Sequence, residues 1–169
     1  MREILFRGFN RKNNVWIHGF YLQNRGAHFV CPDEFATGKT WEDYEIDPDT
    51  LGQLVSRKDK KDNDIYDGDI RYVEFADGSH GYSLIGWNGE QMCWGCMDGY
   101  AYRSIAEGYD FAEFKGHVLN AYLKDALICE VVGNIHDSSP QRDIFLGNDG
   151  DSGNSKPAVP VQGSDDGEN

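Results

Sequence analysis

The sequence predicts a mainly β protein with one short α-helix, arranged as an N-terminal β-meander followed by a small curled sheet or barrel. Two patterns support this fold class. Short runs of alternating apolar and polar residues recur between turn residues, and only one segment has apolar residues at helical spacing. With 169 residues, of which 13% are aromatic, the chain can form one domain or two small ones.

Three strands are expected at the N-terminus. Residues 2–9 alternate between apolar and polar side chains, residues 15–22 are rich in aromatic and β-branched side chains, and residues 27–31 form a third short run. Polar residues 10–14 and 23–26 supply the turns. We therefore expect an antiparallel β-meander.

The meander is followed by a loop over residues 32–45, where the alternating pattern is lost. We expect three of its aromatic side chains, Phe35, Trp41 and Tyr44, to pack onto the sheet. The first unit, a meander with its loop, is therefore assigned to residues 1–46.

Residues 47–69 are predicted to be a polar, lysine-rich connector between two β units. It opens with Asp47, which the following proline, Pro48, restricts to an extended conformation. Asp49 or Thr50 can then cap a short turn.

The connector ends in an apolar anchor and a tight turn. Ile65 and Tyr66 form the anchor. Gly68 follows between Asp67 and Asp69, at a position where positive φ costs glycine nothing. We expect this turn to lead directly into the next strand.

The second unit is assigned to residues 70–137. Strands are predicted at residues 70–75, 81–87 and 91–94, with Asn88-Gly89 as a hairpin turn between the last two. Three strands joined by tight turns favour a small curled sheet or barrel.

The helix of this unit is predicted at residues 115–126, where apolar residues recur three and four positions apart. A last strand is expected at residues 128–135, with Gly133 at a bulge or corner. Residues 138–169 are rich in Ser, Gly, Asn and Asp. They are predicted to be a mostly disordered acidic tail.

The formal charge of −13 is unevenly distributed. Residues 1–30 carry +4, whereas residues 31–69, 70–136 and 137–169 carry −7, −5 and −5. Because binding to phosphates requires a positive surface, direct nucleic-acid binding is not expected. The acidic surplus permits binding to a basic partner or mimicry of a nucleic acid.

Composition also bears on location. The chain contains no apolar run of the roughly 20 residues that a membrane helix needs, and its first residues do not resemble a secretory leader. Its four cysteines are widely spread. We therefore expect a reduced, cytoplasmic protein without membrane contacts.

Cys93 and Cys96 form a CxxC pair, which can supply half of a zinc site or act as a redox pair. A zinc site requires two further ligands, and only the distant Cys129, His117 and His136 are available. The pair also does not open a helix, as a thioredoxin-like motif would. We assign no metal and no cofactor, and interpret both thiols as buried or incidental.

Five aspartates, Asp59, Asp62, Asp64, Asp67 and Asp69, lie within eleven residues and suggest a calcium loop. Counted from Asp62, however, the fifth position is not a ligand residue and the sixth is not glycine, so the EF-hand pattern fails. Interspersed lysines would oppose a cation. A solvated turn is the expected structure.

No motif indicates catalysis. The chain lacks GxSxG, its five histidines stand singly, and no glycine-rich loop joins a strand to a helix. Although a serine or cysteine with a distant histidine stays open, we assign no catalytic residue and do not expect an enzyme.

The tryptophans are the candidate partner-binding residues, because aromatic side chains line the peptide grooves of small β-barrels. The alternative is that they form the core and subunit contacts. The basic residues of the meander, such as Arg7 and Arg25, can face an acidic patch of a neighbouring subunit or simply solvent. The four candidates are Trp16, Trp41, Trp87 and Trp94.

Three blocks identify a family. The first is Met1-Arg2-Glu3-Ile4 with Phe6-Arg7-Gly8, the second runs from Asp47 to Gln53 and from Ile65 to Ile70, and the third is Glu130 to Ile135. With these blocks the chain resembles the YopX-like family of phage and prophage proteins over residues 1–137. The motif and turn residues are Asp47, Pro48, Thr50, Gly52, Ile65, Tyr66, Gly68, Asp69, Gly133 and Asn134.

The chain departs from the family pattern within the second block. Family members usually have Thr-Gly before the basic turn and Asn-Gly within it, whereas this chain has Val55-Ser56 and Lys61-Asp62. We expect Asn63 to supply the positive φ of the turn instead.

The resemblance implies a mostly β fold with an SH3-like barrel at residues 70–137 and a tendency to self-associate, but no reaction. We therefore hypothesise a phage- or prophage-encoded accessory protein of the host cytoplasm. It would be a non-enzymatic homo-oligomer that binds a host or phage protein. The alternative is an acidic nucleic-acid mimic that inhibits a host DNA-binding or defence enzyme.

Overall fold

Two antiparallel β-sheets make up most of the chain that the structure describes. The structure is a computed structural model, and it confirms the mainly β class with a short helix. The described residues are 4–34, 36–74, 78, 80–88, 92–99, 102, 118–119 and 129–147.

The first sheet confirms the predicted meander and extends it. Its strand order is β3-β2-β1-β4-β5, and β3 has the bounds that the sequence predicts. The strands are β1 (Phe6–Asn10), β2 (Val15–Asn24), β3 (Ala27–Cys31), β4 (Gly52–Lys58) and β5 (Asp64–Tyr66).

The stretch predicted as a connector contributes two of these strands. β4 pairs with β1 through Arg7 and Gly52, and β5 pairs with β4 through Leu54 and Tyr66. Residues 47–69 therefore complete the first sheet as well as leading to the second. Neither strand was predicted, because neither shows a sustained alternation of apolar and polar residues.

Strand β2 is long because it serves two neighbours in succession. Its residues up to Gly19 pair with β1, and its residues from Phe20 onward pair with β3. At Gly19 a Cβ atom would lie 2.0 Å from the carbonyl oxygen of Cys31. Only glycine permits the strand to change partners there.

The second sheet has the order β10-β6-β7-β8-β9. Its described strands form an open sheet, so the predicted SH3-like barrel is not confirmed. The register shifts between Val131 and Gly133, which confirms the bulge expected at Gly133. The strands are β6 (Asp69–Glu74), β7 (His80–Asn88), β8 (Cys93–Met97), β9 (Val118–Leu119) and β10 (Cys129–Asn134).

The helix lies elsewhere than predicted. Val118–Leu119, within the expected helix at residues 115–126, form strand β9, so the prediction is wrong there; the other residues of that range lie outside the described residues. Helix α1 (Pro140–Leu146) instead occupies the segment predicted as tail.

Helix α1 has clear boundary residues. The hydroxyl of Ser139 accepts a hydrogen bond from the Arg142 N–H at 3.2 Å, and Gly147 ends the helix with φ 71°. The buried Phe145 attaches the helix to the fold. The start of the segment assigned to the mostly disordered tail is thus helical, while residues 148–169 lie outside the described part.

The two sheets share a hydrophobic core. Val55 and Ile65 from the first sheet pack with Val73 and Ile85 from the second, and the thiols of Cys96 and Cys129 complete the cluster. Buried thiols of this kind act as small apolar side chains. The connector is therefore part of the core that joins the sheets.

The loop aromatics pack unequally. Tyr44 is buried as predicted, whereas Trp41 is 55% exposed and packs edge-on against Phe29, at 5.8 Å between ring centroids. Phe35 lies outside the described residues.

The turns depend on side chains and backbone angles that the sequence only partly indicates. Asp47, not Asp49 or Thr50, caps the 3-10 helix Pro48–Thr50 by accepting a hydrogen bond from the Asp49 N–H at 3.2 Å. Gly68 has the predicted positive φ, at 83°.

Both departures from the family pattern retain a backbone that suits glycine. Ser56 has φ 61° and Asp62 has φ 66°, and these are the two positions at which family members usually have glycine. The expectation that Asn63 supplies the positive φ is therefore wrong. Non-glycine residues at these angles carry a steric cost of about 1 kcal/mol.

We predict that Ser56→Gly and Asp62→Gly each raise the free energy of unfolding by about 0.5–1 kcal/mol, because relief of strain outweighs the added freedom of the unfolded chain. Arg57→Gly is the control, since Arg57 has no positive φ; it should destabilise the protein. Urea denaturation measures all three. Equal effects at positions 56 and 57 would contradict the interpretation.

We predict that Gly68→Val destabilises the fold by about 2–3 kcal/mol. Its Cβ would combine positive φ with a contact of 3.1 Å to Asn134 Nδ2. Gly26→Val is the matched control, because Gly26 has φ 86° but open space around it. Thermal denaturation should show the larger loss at Gly68, and wild-type stability in Gly68→Val would show that the turn has been misread.

Candidate functional site

The family motif residues converge where the two sheets meet. The guanidinium of Arg7 on β1 forms an ion pair with Asp69, the first residue of β6. The other carboxylate oxygen of Asp69 accepts a hydrogen bond from the Tyr66 N–H at 2.8 Å, and the Asn134 side chain also bonds to this carboxylate. The Asp69 carboxylate, which bonds to Arg7 and Asn134, thus joins the three motif blocks of the sequence.

The Arg7 guanidinium lies against two aromatic rings. It is 4.9 Å from the ring centroid of Trp16 and 4.8 Å from that of Tyr66. Cation–π contacts of this type hold a partly buried guanidinium in place. Trp16, predicted as a partner-binding residue, is therefore engaged within the fold.

Burial sets the electrostatics of this junction. It raises the pKa of the Asp69 carboxyl, against the opposing effect of Arg7, and also raises the pKa of Asp67. Burial and the charge of Arg7 together lower the pKa of His18 and of His136. Both imidazoles are therefore favoured in their neutral form beside the fixed charge of Arg7.

The remaining motif residues are structural. Thr50 accepts a hydrogen bond from the Phe9 N–H at 2.8 Å, and Asp47 accepts one from Arg11 Nε at 2.8 Å. A Cβ atom on Gly52 would lie 2.5 Å from the carbonyl oxygen of Asp67. Together with the buried Ile65, these contacts hold the connector against β1.

Asp59 organises the basic turn. Its carboxylate is 4% exposed and accepts hydrogen bonds from the N–H groups of Lys61 at 2.8 Å, Asn63 at 2.9 Å and Val131 at 3.0 Å. Burial opposes ionisation, but these hydrogen bonds outweigh it and lower the pKa of Asp59. The turn is thereby fixed to strand β10.

The other acids of the series do not converge on one point. Asp69 pairs with Arg7, and Asp64 pairs with Lys58 at 3.1 Å. Asp62 is largely solvent-exposed beside the same lysine. Within the described residues, no group of three or more His, Cys, Asp or Glu side chains is arranged to hold a metal ion.

The CxxC pair lies on a regular strand. Cys93 and Cys96 pair in unbroken register with Asn88 and Ile85 of β7. Residues three apart on a strand point to opposite faces, so the two sulfurs cannot meet at one metal or in one disulfide. Cys96 belongs to the core, and Cys93 lies on the other face.

The four predicted tryptophans do not form one groove. Trp87 and Trp94 stack edge-on at 5.3 Å between ring centroids, at one end of the second sheet. Trp16 packs on Arg7, whereas Trp41 packs on Phe29 of strand β3. The structure thus places them in three separate clusters.

Several exposed apolar side chains lie together on and beside the β2–β3 hairpin. Phe20 is 50% exposed and Leu22 is 43% exposed, and they pair directly with Cys31 and Phe29 of β3. We call Phe20, Leu22, Phe29, Cys31 and Trp41 the hairpin face.

Sequence reasoning named Trp41 but missed Leu22 and Phe29. The sequence does indicate that Phe20 and Leu22 lie on the same face of β2, because residues two apart on a strand point to the same side. That Phe20 and Leu22 stay exposed among the described residues could not be read from the sequence.

We predict that Asp59→Asn lowers the free energy of unfolding by about 2–4 kcal/mol at pH 7, because an amide cannot accept all of these hydrogen bonds. The folded-state pKa of Asp59 lies below its ordinary value. Its stabilisation is therefore complete above the unfolded pKa and is lost as the pH falls through the folded one.

Asp62→Asn is the control for this variant, because Asp62 is exposed and should matter little. Chemical denaturation between pH 7 and pH 2.5 measures both. A wild-type acid response in Asp59→Asn would contradict the assignment.

Comparison with known proteins agrees with these motifs. A model of the YopX protein family matches residues 5–141, which include both sheets and the start of helix α1. A search of curated proteins finds no match. None of the described helices is long and apolar enough to cross a membrane. The chain belongs to the YopX protein family.

Proposed function

We propose that the protein acts by binding other proteins, beginning with further copies of itself, and not by catalysis. The observation that carries this proposal is the hairpin face, where Phe20, Leu22 and Trp41 are each more than 40% exposed. A patch of adjoining apolar side chains on a soluble surface is typical of protein interfaces.

The thiols support a role without nucleophilic chemistry. Burial raises the pKa of Cys31 and of Cys129, which disfavours the thiolate form that reacts. Cys96 is fully enclosed in the core. The ordered cysteines thus serve packing better than catalysis.

The biological setting follows from the family. Membership in the YopX family suggests a phage-type protein of unknown biochemistry. We extend this to an accessory protein of the host cytoplasm whose assembled form engages a host or phage protein. Closure of the second sheet into an SH3-like barrel is part of this proposal.

Nucleic-acid mimicry is the weaker alternative. A mimic needs carboxylates displayed at phosphate-like spacing, but Asp59 and Asp69 are turned inward to satisfy the fold. Asp64 and Glu130 are neutralised by lysines of the basic turn. These contacts leave few ordered carboxylates in this region for an enzyme cleft.

We predict that Phe20→Ser combined with Leu22→Ser converts an oligomeric wild-type protein to monomers, because the apolar area that drives association is removed. Size-exclusion chromatography with light scattering measures the mass. Val15→Ser is the matched control, since Val15 is 47% exposed but lies on the opposite face of β2.

Affinity capture of tagged protein from infected host cells tests the second partner. The same two serine substitutions should reduce capture if assembly is required for it. A wild-type protein that stays monomeric at high concentration and captures nothing would overturn the proposal.

A further inference from the structure

We infer that the hairpin face docks onto the same face of a second copy, with the tip of one hairpin over the base of the other. This inference rests on the proposed function and specifies the partner and its orientation. It follows from three features of the hairpin: an occupied edge along β3, a self-complementary apolar centre and opposite charges at the two ends.

The edge of the hairpin formed by β3 is already occupied. The Val30 N–H donates to the carbonyl of Tyr44 at 3.1 Å, and the Ile46 N–H donates to the carbonyl of His28 at 2.9 Å. Phe29 also forms a β-bridge with Glu45. A partner therefore cannot add a strand beside β3 at these residues. The exposed Phe20 and Leu22 instead offer the face of the hairpin as the contact surface.

The centre of the face suits a copy of itself. Leu22 and Phe29 form the middle cross-strand pair, with Phe20 and Cys31 on the side of the base. A two-fold axis through this middle pair brings apolar side chains of both copies together. Sheets packed in this way lie about 10 Å apart.

The two ends of the hairpin carry opposite charges. Arg25 and Gly26, with φ 50° and 86°, form the two-residue turn at the tip, and Arg25 is exposed. Asp33 and Glu34 follow β3 at the base and are also exposed. Within the described residues, none of these three side chains takes part in an ion pair.

Charge decides between the two symmetric arrangements. A two-fold axis parallel to the strands places the tips of the two hairpins together. This arrangement brings Arg25 of one copy near Arg25 of the other and places four carboxylates together at the opposite end. A two-fold axis perpendicular to the strands places the tip of each hairpin over the base of the other. This arrangement brings Arg25 of each copy near Asp33 and Glu34 of the other. At about 3.4 Å per residue, Arg25 lies about 10 Å from the middle pair, and Asp33, two residues beyond the end of β3, lies at most about 13 Å from it, so these two distances are similar.

The test is charge reversal at the two ends. Arg25→Glu and the double variant Asp33→Arg/Glu34→Arg should each weaken self-association about tenfold, because two attractive contacts per dimer become repulsive. Combining all three substitutions in one chain, or mixing the two variants, should restore association to within about threefold of wild type.

Analytical ultracentrifugation of the full chain at low salt measures the dissociation constants, and high salt should reduce the differences. Arg57→Glu is the control, because it makes the same change in charge at an exposed residue of β4 outside the hairpin face. Circular dichroism verifies that each variant is folded.

Failure of rescue in the triple variant and the mixture would overturn the tip-on-base arrangement, as would unchanged association in both reversal variants. The proposed function would survive either result if the serine variants of Phe20 and Leu22 still dissociate. If those serine variants also associate like wild type, the hairpin face is not the contact, and both ideas fail.

Discussion

The ion pair between Arg7 and Asp69 is the contact on which the relation between the two sheets depends. Arg7 belongs to the first strand, while Asp69 begins the second sheet and is fully buried. A buried carboxylate left without its cation would be strongly unfavourable, because desolvation of the charge would go uncompensated. The hydrogen bond from Tyr66 and the bond with Asn134 add to this constraint and fix the turn at Gly68.

This arrangement explains why residues 47–69 identify the family although they contain no catalytic motif. The positions that define it are needed by the backbone, since Gly52 and Gly68 leave no room for a side chain or require positive φ. Ser56 and Asp62 also have positive φ, although this conformation is less favourable for them than for glycine. The motif therefore specifies how the two sheets join.

The exposed apolar surface of the hairpin lies away from this junction. The hairpin face belongs to the part of the first sheet that lies beyond Gly19, where β2 has left β1 and pairs only with β3. On one face of this two-stranded extension Val30 is buried and Tyr21 contacts Phe6, at 5.6 Å between ring centroids. The other face carries the exposed Phe20 and Leu22. An extension of this form can meet a partner without disturbing the junction.

Local sequence patterns were enough to predict the meander, the turn at Gly68, the bulge at Gly133 and the family. These follow from alternation and from backbone angles that few residues tolerate, which are properties of near neighbours in the chain. The tertiary structure, in contrast, was needed to show that β4 and β5 join the first sheet and that the CxxC sulfurs diverge. It also decided which apolar residues stay uncovered. Such outcomes depend on contacts between residues far apart in the chain, such as Arg7 with Asp69 and Asp59 with Val131, and no local pattern records them.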